Sequence, residues 1–375
     1  MNPPLVVVAG GGTGGHVVPA LAVAQALVER GHPPESIHFV GSARGMEARL
    51  VPAAGFPITL LPGRGIPRRL NLTALAAALS LVVAAARAIL LLGRRRPGVV
   101  LAVGGYASLP CALAAVILRV PLVLQEQNYT PGSSNRLVGR FARAAAVAFP
   151  GTDLPRAVVT GRPVPAEIEA VDRSPAGRRL ARRDLGLPET GLVIGVTGGS
   201  LGALSVNRAV VDLAGRWADR SGLAIYHVIG SRDFVGLARP RPGGLVYLPV
   251  EYESRMPLLL SAADVMIGRS GGWVAELAAA GVPAVLVPLP NAPGDHQTGN
   301  ARAMEKAGAA VMLADADCTG AALGTTLEPL LSDPDRLEAM AAAARSLGRP
   351  GAAGRVADLV EAHARPADRK AAAAR

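Results

Sequence analysis

The chain is poor in residues that staple, stack or anchor. Its 375 residues include two cysteines, Cys111 and Cys318, which excludes a disulfide framework. Aromatic residues make up 3 % of it, so a nucleic-acid surface of interleaved aromatic and basic side chains is excluded, and no finger or helix-turn-helix spacing stands in its place. Lysine occurs at Lys306 and Lys370 only, so the formal net charge of +11 is carried by arginine. Such a balance suits phosphate-bearing substrates or an anionic membrane surface better than nucleic acid. No basic stretch followed by an apolar signal region stands at the N-terminus, which with the cysteine count points to the cytoplasm.

Half of the residues are apolar, and the length suffices for two domains with ordinary cores. Leu5 to Ala9, an apolar run suited to a strand buried on both faces, passes into Gly10-Gly11-Gly12-Thr13-Gly14-Gly15-His16 and then Pro19-Ala-Leu-Ala. A glycine loop feeding a helix start is an anion site, because glycine lets the backbone approach closely and the first helical N–H groups lack partners. Gly10, Gly12 and Gly15 also fit dinucleotide spacing. The second strand, Ile37 to Val40, however, ends in Gly41-Ser-Ala-Arg44 without the acid that would hold a ribose, so a nicotinamide oxidoreductase rests on glycine spacing alone. His16 reads equally as a proton carrier near neutral pH and as a helix-start hydrogen bonder.

Apolar strands and helical runs then alternate, which predicts an α/β fold with doubly wound parallel sheets and ligands at the carboxyl ends of strands. In the first half those ends carry the opening loop, Gly104-Gly105-Tyr106-Ala107-Ser108 and Gln125-Glu126-Gln127-Asn128. Val158 to Pro165 reads as a stiff linker, and Arg173 to Asp184 as a solvated helix face. The predicted domains are 1–162, completed by a helix over 349–364, and 163–348, with 365–375 as a basic disordered tail. The run Leu70 to Leu92 is interrupted by Arg87, short of the about twenty apolar residues of a spanning helix. Flanked by Arg64, Arg68, Arg69 and by Arg94, Arg95, Arg96, it reads either as a helix resting on an anionic membrane or as one packed on the sheet with a basic rim.

In the second half Gly198-Gly199-Ser200-Leu201-Gly202-Ala203 and Arg269-Ser270-Gly271-Gly272 are further loops of the phosphate type. Glu276, one turn beyond, suits either the two hydroxyls of a ribose or the dipole of its helix. Arg269, Ser270, Gln297 and Asn300 add charge and amide donors for a sugar diphosphate. Asp315-Ala-Asp317 has the spacing of a metal-binding acid pair, but before Thr319 it reads rather as a helix-start turn. Helix N-termini and Arg269 make a metal unnecessary for charge neutralisation.

Taken together, Gly10 to His16 with Pro19-Ala-Leu-Ala, Gly104 to Ser108, Glu126-Gln-Asn128, Gly198-Gly-Ser200, Arg269-Ser-Gly271 with Glu276, and His296-Gln297 with Asn300-Ala301 resemble the MurG family in the family's order. These are N-acetylglucosaminyltransferases of peptidoglycan synthesis that turn lipid I into lipid II. The resemblance implies a GT-B fold of two Rossmann-like domains facing across a cleft. It also implies an inverting transfer from UDP-GlcNAc to the MurNAc 4-hydroxyl of undecaprenyl-diphosphoryl-MurNAc-pentapeptide, with no cofactor. The enzyme would sit peripherally on the cytoplasmic face of the cell membrane, near other cell-wall synthesis proteins.

By the same match His16 would be the general base. Glu276 would hold ribose, Ser200 and Ser270 phosphate, and Asn128 and Gln297 the GlcNAc hydroxyls. Thr13, Gly14, Gly15, Arg162, Arg269, Gly271 and Asn300 would complete the donor site. Gly10, Gly11, Gly12, Gly104, Gly105, Tyr106, Ser108, Glu126 and Gln127 would face the acceptor. Departures from the family pattern cluster near the donor: Leu201 for Gln, Gln125 for His, Arg162 and Pro165 in a rearranged Gly-Asn-Pro-Val-Arg, a shortened 269–276 loop with Trp273, and Tyr252-Glu253 for an apolar pair. They allow another nucleotide sugar or lipid acceptor, or a silent lipid-binding relative.

Overall fold

Strands buried on both faces, and so apolar at every position, build each half of the chain. The description rests on a computed structural model and covers residues 6–62, 72–199, 202–237 and 243–365, the side chains of 72–79 and 293 excepted. Two units result, Met1–Pro165 with Gly351–Arg375, and Ala166–Pro350.

Among the described residues the first unit has seven strands. They are β1 (Val6–Ala9), β2 (Ile37–Ser42), β3 (Ile58–Leu61), β4 (Val99–Ala102), β5 (Leu122–Glu126), β6 (Ala144–Val147) and β7 (Ala157–Val159). All pairs are parallel, in the order β3-β2-β1-β4-β5-β6-β7. Along β1, Val6 and Val8 enter the core on one face of the sheet, and Val7 and Ala9 the core on the other. Each fully buried valine stabilises by about 1.5–3 kcal/mol relative to exposure. The order reverses between β1 and β4, and a sheet opens a crevice at such a switch point, outside the carboxyl ends of its strands. Both glycine turns of this unit leave from there.

The structure alters three expectations in this half and decides which face of one helix is inward. The helix after the glycine loop begins at Gly14 and runs to Glu29, so Pro19 lies inside it rather than in its first turn. Part of the expected linker is the edge strand β7, and the first unit extends to Pro165. In the helix Leu72–Arg95 the alanine face turns inward: Ala84, Ala88 and Leu92 join the core with Cys111 and Ala112, while Val82 (65 % exposed) and Leu90 (59 %) point outward beside the exposed Arg87. Of the flanking arginines, Arg64, Arg68 and Arg69 lie outside the described residues, as does the tail from Pro366. Arg365 itself is tied down, its N–H donating to Gly98 O at 3.0 Å. The helix Ala352–His363 packs on the first unit through Val356, Ala357 and Val360 and through Arg30, which donates to Asp358 and Glu361.

The second unit repeats the design. Its strands β8 (Leu192–Thr197), β9 (Leu223–Val228), β10 (Val246–Val250), β11 (Val265–Gly268), β12 (Ala284–Leu286) and β13 (Ala310–Met312) are parallel in the order β10-β9-β8-β11-β12-β13, with the switch point between β8 and β11. The arginine-rich helix, Pro175–Asp184, is not a solvated face throughout. Arg182 is buried and pairs at 2.9 Å with Asp264, which also accepts from Arg178 and, at 2.6 Å, from the Val193 N–H. Arg173, just before the helix, donates to Leu260 O and Ala263 O, and burial pushes it down to about 10. A charge drawn inward must be paired, and here the carbonyls and Asp264 bolt the helix to β8 and β11.

Under β9 runs a buried polar chain. Asn207 donates to Asp233 at 3.0 Å and to Ile229 O at 2.9 Å. His227 lies 3.1 Å from Asn207 Oδ1 and 2.8 Å from the Tyr247 hydroxyl. Burial pushes His227 down to about 3, so it is neutral when folded, whereas in the unfolded chain it protonates near 6.5. Between these values the unfolded state binds the extra proton, so stability falls as pH drops through that window, by up to about 1.4 kcal/mol per pH unit, and this group adds no slope above it. Both tryptophans of the chain, Trp217 and Trp273, lie in the second unit, so their fluorescence follows its unfolding. Denaturant titrations from pH 7 to 4 are expected to show this slope, and His227→Gln to flatten it. An equal slope in both proteins would refute the assignment.

Candidate functional site

At the switch point of the first unit two glycine turns press backbone on backbone. Gly11 N–H donates to Gly104 O at 3.4 Å, and a Cβ on Gly105 would stand 2.2 Å from Gly11 O. Gly11 and Gly105, at φ +148° and +82°, also hold conformations that side chains disfavour, so glycine is required twice over. Beneath them lies Glu47, 1 % exposed, whose carboxylate accepts from Gly12 N–H and from Ser42 N–H, both at 2.7 Å. Glu47 was not a candidate from sequence, where an acid in the first turn of the helix Glu47–Ala53 reads as a dipole partner. Its presence means that Gly12, expected to face the acceptor, gives its N–H to the protein's own carboxylate.

The helix Gly14–Glu29 starts at Thr13, whose hydroxyl does not cap it but lies 3.2 Å from His16 Nδ1; no acid occupies the first turn. The other side of the imidazole faces the second turn: a Cβ on Gly104 would meet His16 Nε2 at 3.2 Å. With Nδ1–H donating to Thr13 Oγ1, Nε2 keeps a lone pair able to take a proton. Pro19 has no N–H for the carbonyl four residues back, which is that of Gly15, and Arg162 Nη2 donates to this carbonyl at 2.8 Å. The proline inside the helix thus creates the seat for Arg162 next to the helix start.

The remaining first-unit candidates are mostly internal. Ser108, Glu126 and Gln127 are buried. Glu126 accepts from the N–H groups of Gln127 (2.9 Å), Asn128 (3.0 Å) and Gly132 (2.9 Å) and from the side chains of Asn128 (3.3 Å) and Asn135 (2.9 Å). Gln127 donates to Val103 O at 3.3 Å. They order the loops after β4 and β5, and Asn128, half-buried, is presented by that order. Burial raises the Tyr106 phenol above its ordinary pKa. Asn135, which holds Gln125 O and Glu126 together, was missed because an isolated asparagine carries no signal in sequence.

At the switch point of the second unit Ser200 and Leu201 lie outside the described residues, between Gly199 and Gly202, whose own N–H donates to Gly199 O at 2.9 Å. Arg269 is tied inward: it donates to Asp315 (2.6 Å), Ser205 Oγ (2.9 Å), Val287 O (3.2 Å) and Pro288 O (3.1 Å). Asp315 opens a short turn, Asp315–Asp317, before Thr319, whose hydroxyl accepts from Ala322 N–H at 3.2 Å and caps the helix Gly320–Leu331. This is the helix-start reading of the acid pair. Among the described residues no group of three or more His, Cys, Asp or Glu side chains is placed to hold a metal ion.

Ser270 and Asn300 are fully buried. Ser270 Oγ donates to Gln297 O at 2.8 Å and Asn300 to Ser270 O at 3.1 Å, so the β11 turn is fastened to the helix His296–Lys306. The Gln297 side chain takes the Leu289 N–H at 2.9 Å, and Glu276 stands half-buried in the first turn of the helix Val274–Ala280.

Two departures have structural causes. In the shortened loop Trp273 donates to Arg269 O and lays its ring against Gly268, where a Cβ would meet it at 2.7 Å. Glu253 is buried, not presented to a base: it accepts from the Tyr226 hydroxyl and from Arg255. Burial pushes its carboxyl up, but the hydrogen bonds from Arg255 and Tyr226 together hold it below the ordinary value.

Parallel sheets of this kind in tandem, each opening glycine turns at its switch point with the last helix returned to the first unit, make the two-domain GT-B architecture. Models of the N-terminal and C-terminal domains of glycosyltransferase family 28 match residues 6–147 and 193–356, and the chain belongs to that family. A relative from Desulforudis audaxviator is 38 % identical over 371 residues, covering 95 % of this chain and 97 % of its own. One from Paenarthrobacter aurescens is 43 % identical over 366, covering 96 % of each. Both bear the name UDP-N-acetylglucosamine–N-acetylmuramyl-(pentapeptide) pyrophosphoryl-undecaprenol N-acetylglucosamine transferase. The crystal structure of Acinetobacter baumannii MurG superposes with a TM-score of 0.76 at 30 % identity, over 96 % of this chain and all of that one. The nicotinamide reading of the first glycine loop therefore falls.

Replacing Glu47 by Ala would leave the buried Ser42 N–H unpaired and release the exposed Gly12 N–H to solvent, a cost of about 1–3 kcal/mol. The expected result is a lower melting temperature and faster amide exchange at Gly12. Unchanged exchange there would show that the carboxylate does not hold the turn.

Proposed function

We propose that the chain transfers GlcNAc from UDP-GlcNAc to the MurNAc 4-hydroxyl of undecaprenyl-diphosphoryl-MurNAc-pentapeptide, with inversion at the anomeric carbon. The observation that carries this is likeness across both units to relatives of that name, at 37–43 % identity. In the reaction the acceptor oxygen forms its bond to C1 as the bond from C1 to the UDP oxygen breaks. His16 takes the hydroxyl proton on Nε2 while Thr13 fixes its ring. UDP leaves with its negative charge facing the turns after β8 and β11 and its ribose on Glu276. Arg269, compensated by Asp315, serves to shape those turns more than to supply free positive charge.

The acceptor carries a polyprenyl tail, so the enzyme works at a membrane surface. No helix among the described residues is long and apolar enough to cross one. The outward Val82, Val83 and Leu90 beside Arg87 and Arg94 support peripheral binding, apolar groups entering the interface and arginines meeting anionic headgroups.

With labelled UDP-GlcNAc and a lipid I analogue, the purified protein is expected to release disaccharide product; no product together with no UDP-GlcNAc binding would refute the proposal. His16→Ala should lower kcat by roughly a hundred- to ten-thousandfold with UDP-GlcNAc binding kept, and an unaltered kcat would remove His16 as the base. Combining Leu90→Asp with Arg87→Glu should weaken sedimentation with anionic vesicles on the order of tenfold. Equal sedimentation would assign membrane binding to another face.

A further inference from the structure

At the amino ends of β5, β6 and β7, the opposite edge of the sheet from the glycine turns, the first unit has an open hollow of about 360 Å³ whose arginines are exposed. Five arginines line it: Arg119 beyond the helix Ser108–Ile117, Arg140 and Arg143 before β6, Arg156 before β7, and Arg365 beyond the last helix. No aspartate or glutamate is among the lining residues. Four separate stretches of chain thus deliver the same charge to one hollow.

The framework of this hollow is built by the arginines themselves. Arg156 Nη1 donates to Ala142 O at 2.9 Å and Arg140 O at 3.2 Å, and Arg365 donates to Arg119 O. Arg119 and Arg156 hold φ of +55° and +56°, a left-handed backbone that a side-chain-bearing residue seldom adopts. Arg140 lies over the Phe141 ring, 4.6 Å from its centre. Among the described residues none of the five makes an ion pair with a carboxylate. Clustered like charges in a concave wall repel one another and focus a positive potential, which a multivalent anion relieves. The guanidinium fork matches phosphate oxygens two at a time.

We propose that this hollow is a binding site for a phosphate-bearing anion, separate from the sugar-transfer site. A phosphomonoester or diphosphate fits its size and charge, carried either by a membrane phospholipid headgroup or by a soluble ester.

The test uses the full chain with UDP present, so that any nucleotide-diphosphate site is filled. Inorganic pyrophosphate is titrated calorimetrically, and flotation is measured with phosphatidylcholine vesicles with and without phosphatidylglycerol. The variant Arg119→Ala with Arg143→Ala removes two guanidiniums that brace no backbone, and its melting temperature checks the fold. A second variant, Arg179→Ala with Arg336→Ala, removes the same charge from the other unit.

Pyrophosphate binding that the first variant weakens about tenfold or more, and the second does not, supports the site with a soluble ligand. The same pattern confined to phosphatidylglycerol vesicles supports it with a lipid headgroup. Absence of binding in both arms, binding that the first variant retains, or equal loss in the two variants would overturn it.

Discussion

Two peptide backbones touching at Gly11 and Gly105 constrain everything around them. The contact leaves no room for a Cβ, so the chain gives up side chains there, and the turns need support from outside themselves. Glu47 gives it from below and Glu126 gives it from the neighbouring strand, each buried and each surrounded by N–H donors. Internal carboxylates thus do for these turns what a bound anion does at an open glycine loop. The helix start at Thr13 to His16 differs in that no side-chain acid occupies its first turn.

The same economy appears at the second switch point. Arg269, Ser270 and Asn300 look in sequence like hands reaching for a diphosphate, yet each holds a neighbouring segment. Residues of this sort set the shape of the turns, while Glu276 and Gln297 stay half-buried beside them. Trp273 and Glu253 belong to this scaffolding, each held by neighbours within its own unit.

The elements were legible because parallel strands leave continuous apolar runs and glycine marks their ends. The apolar run ending at Ala9 and read as a strand buried on both faces forms β1 for that reason. Edge and surface elements were not: β7 is exposed along its length and looks like linker, and the arginines of Pro175–Asp184 look solvated although two of their neighbourhoods are interior. Long-range pairing decides such cases. Nothing local to Arg182 announces Asp264, just as nothing near Pro19 announces Arg162. Likewise the helix Leu72–Arg95 shows two apolar faces in sequence, and only the packing of Ala88 against Cys111 and Ala112 settles which is inside.

The last helix returns to the first unit, and this sets the order in which the protein can be made. Val356, Ala357 and Val360 fill a core whose other members, from Val6 to Ala146, leave the ribosome long before them. The intervening 166–350 unit contains its own sheet and can close while the first waits with an apolar groove open. Synthesis from the N-terminus therefore leaves the earlier half to mature after the later one, and until residues 352–363 emerge that half depends on whatever keeps unfinished apolar surfaces apart in the cell.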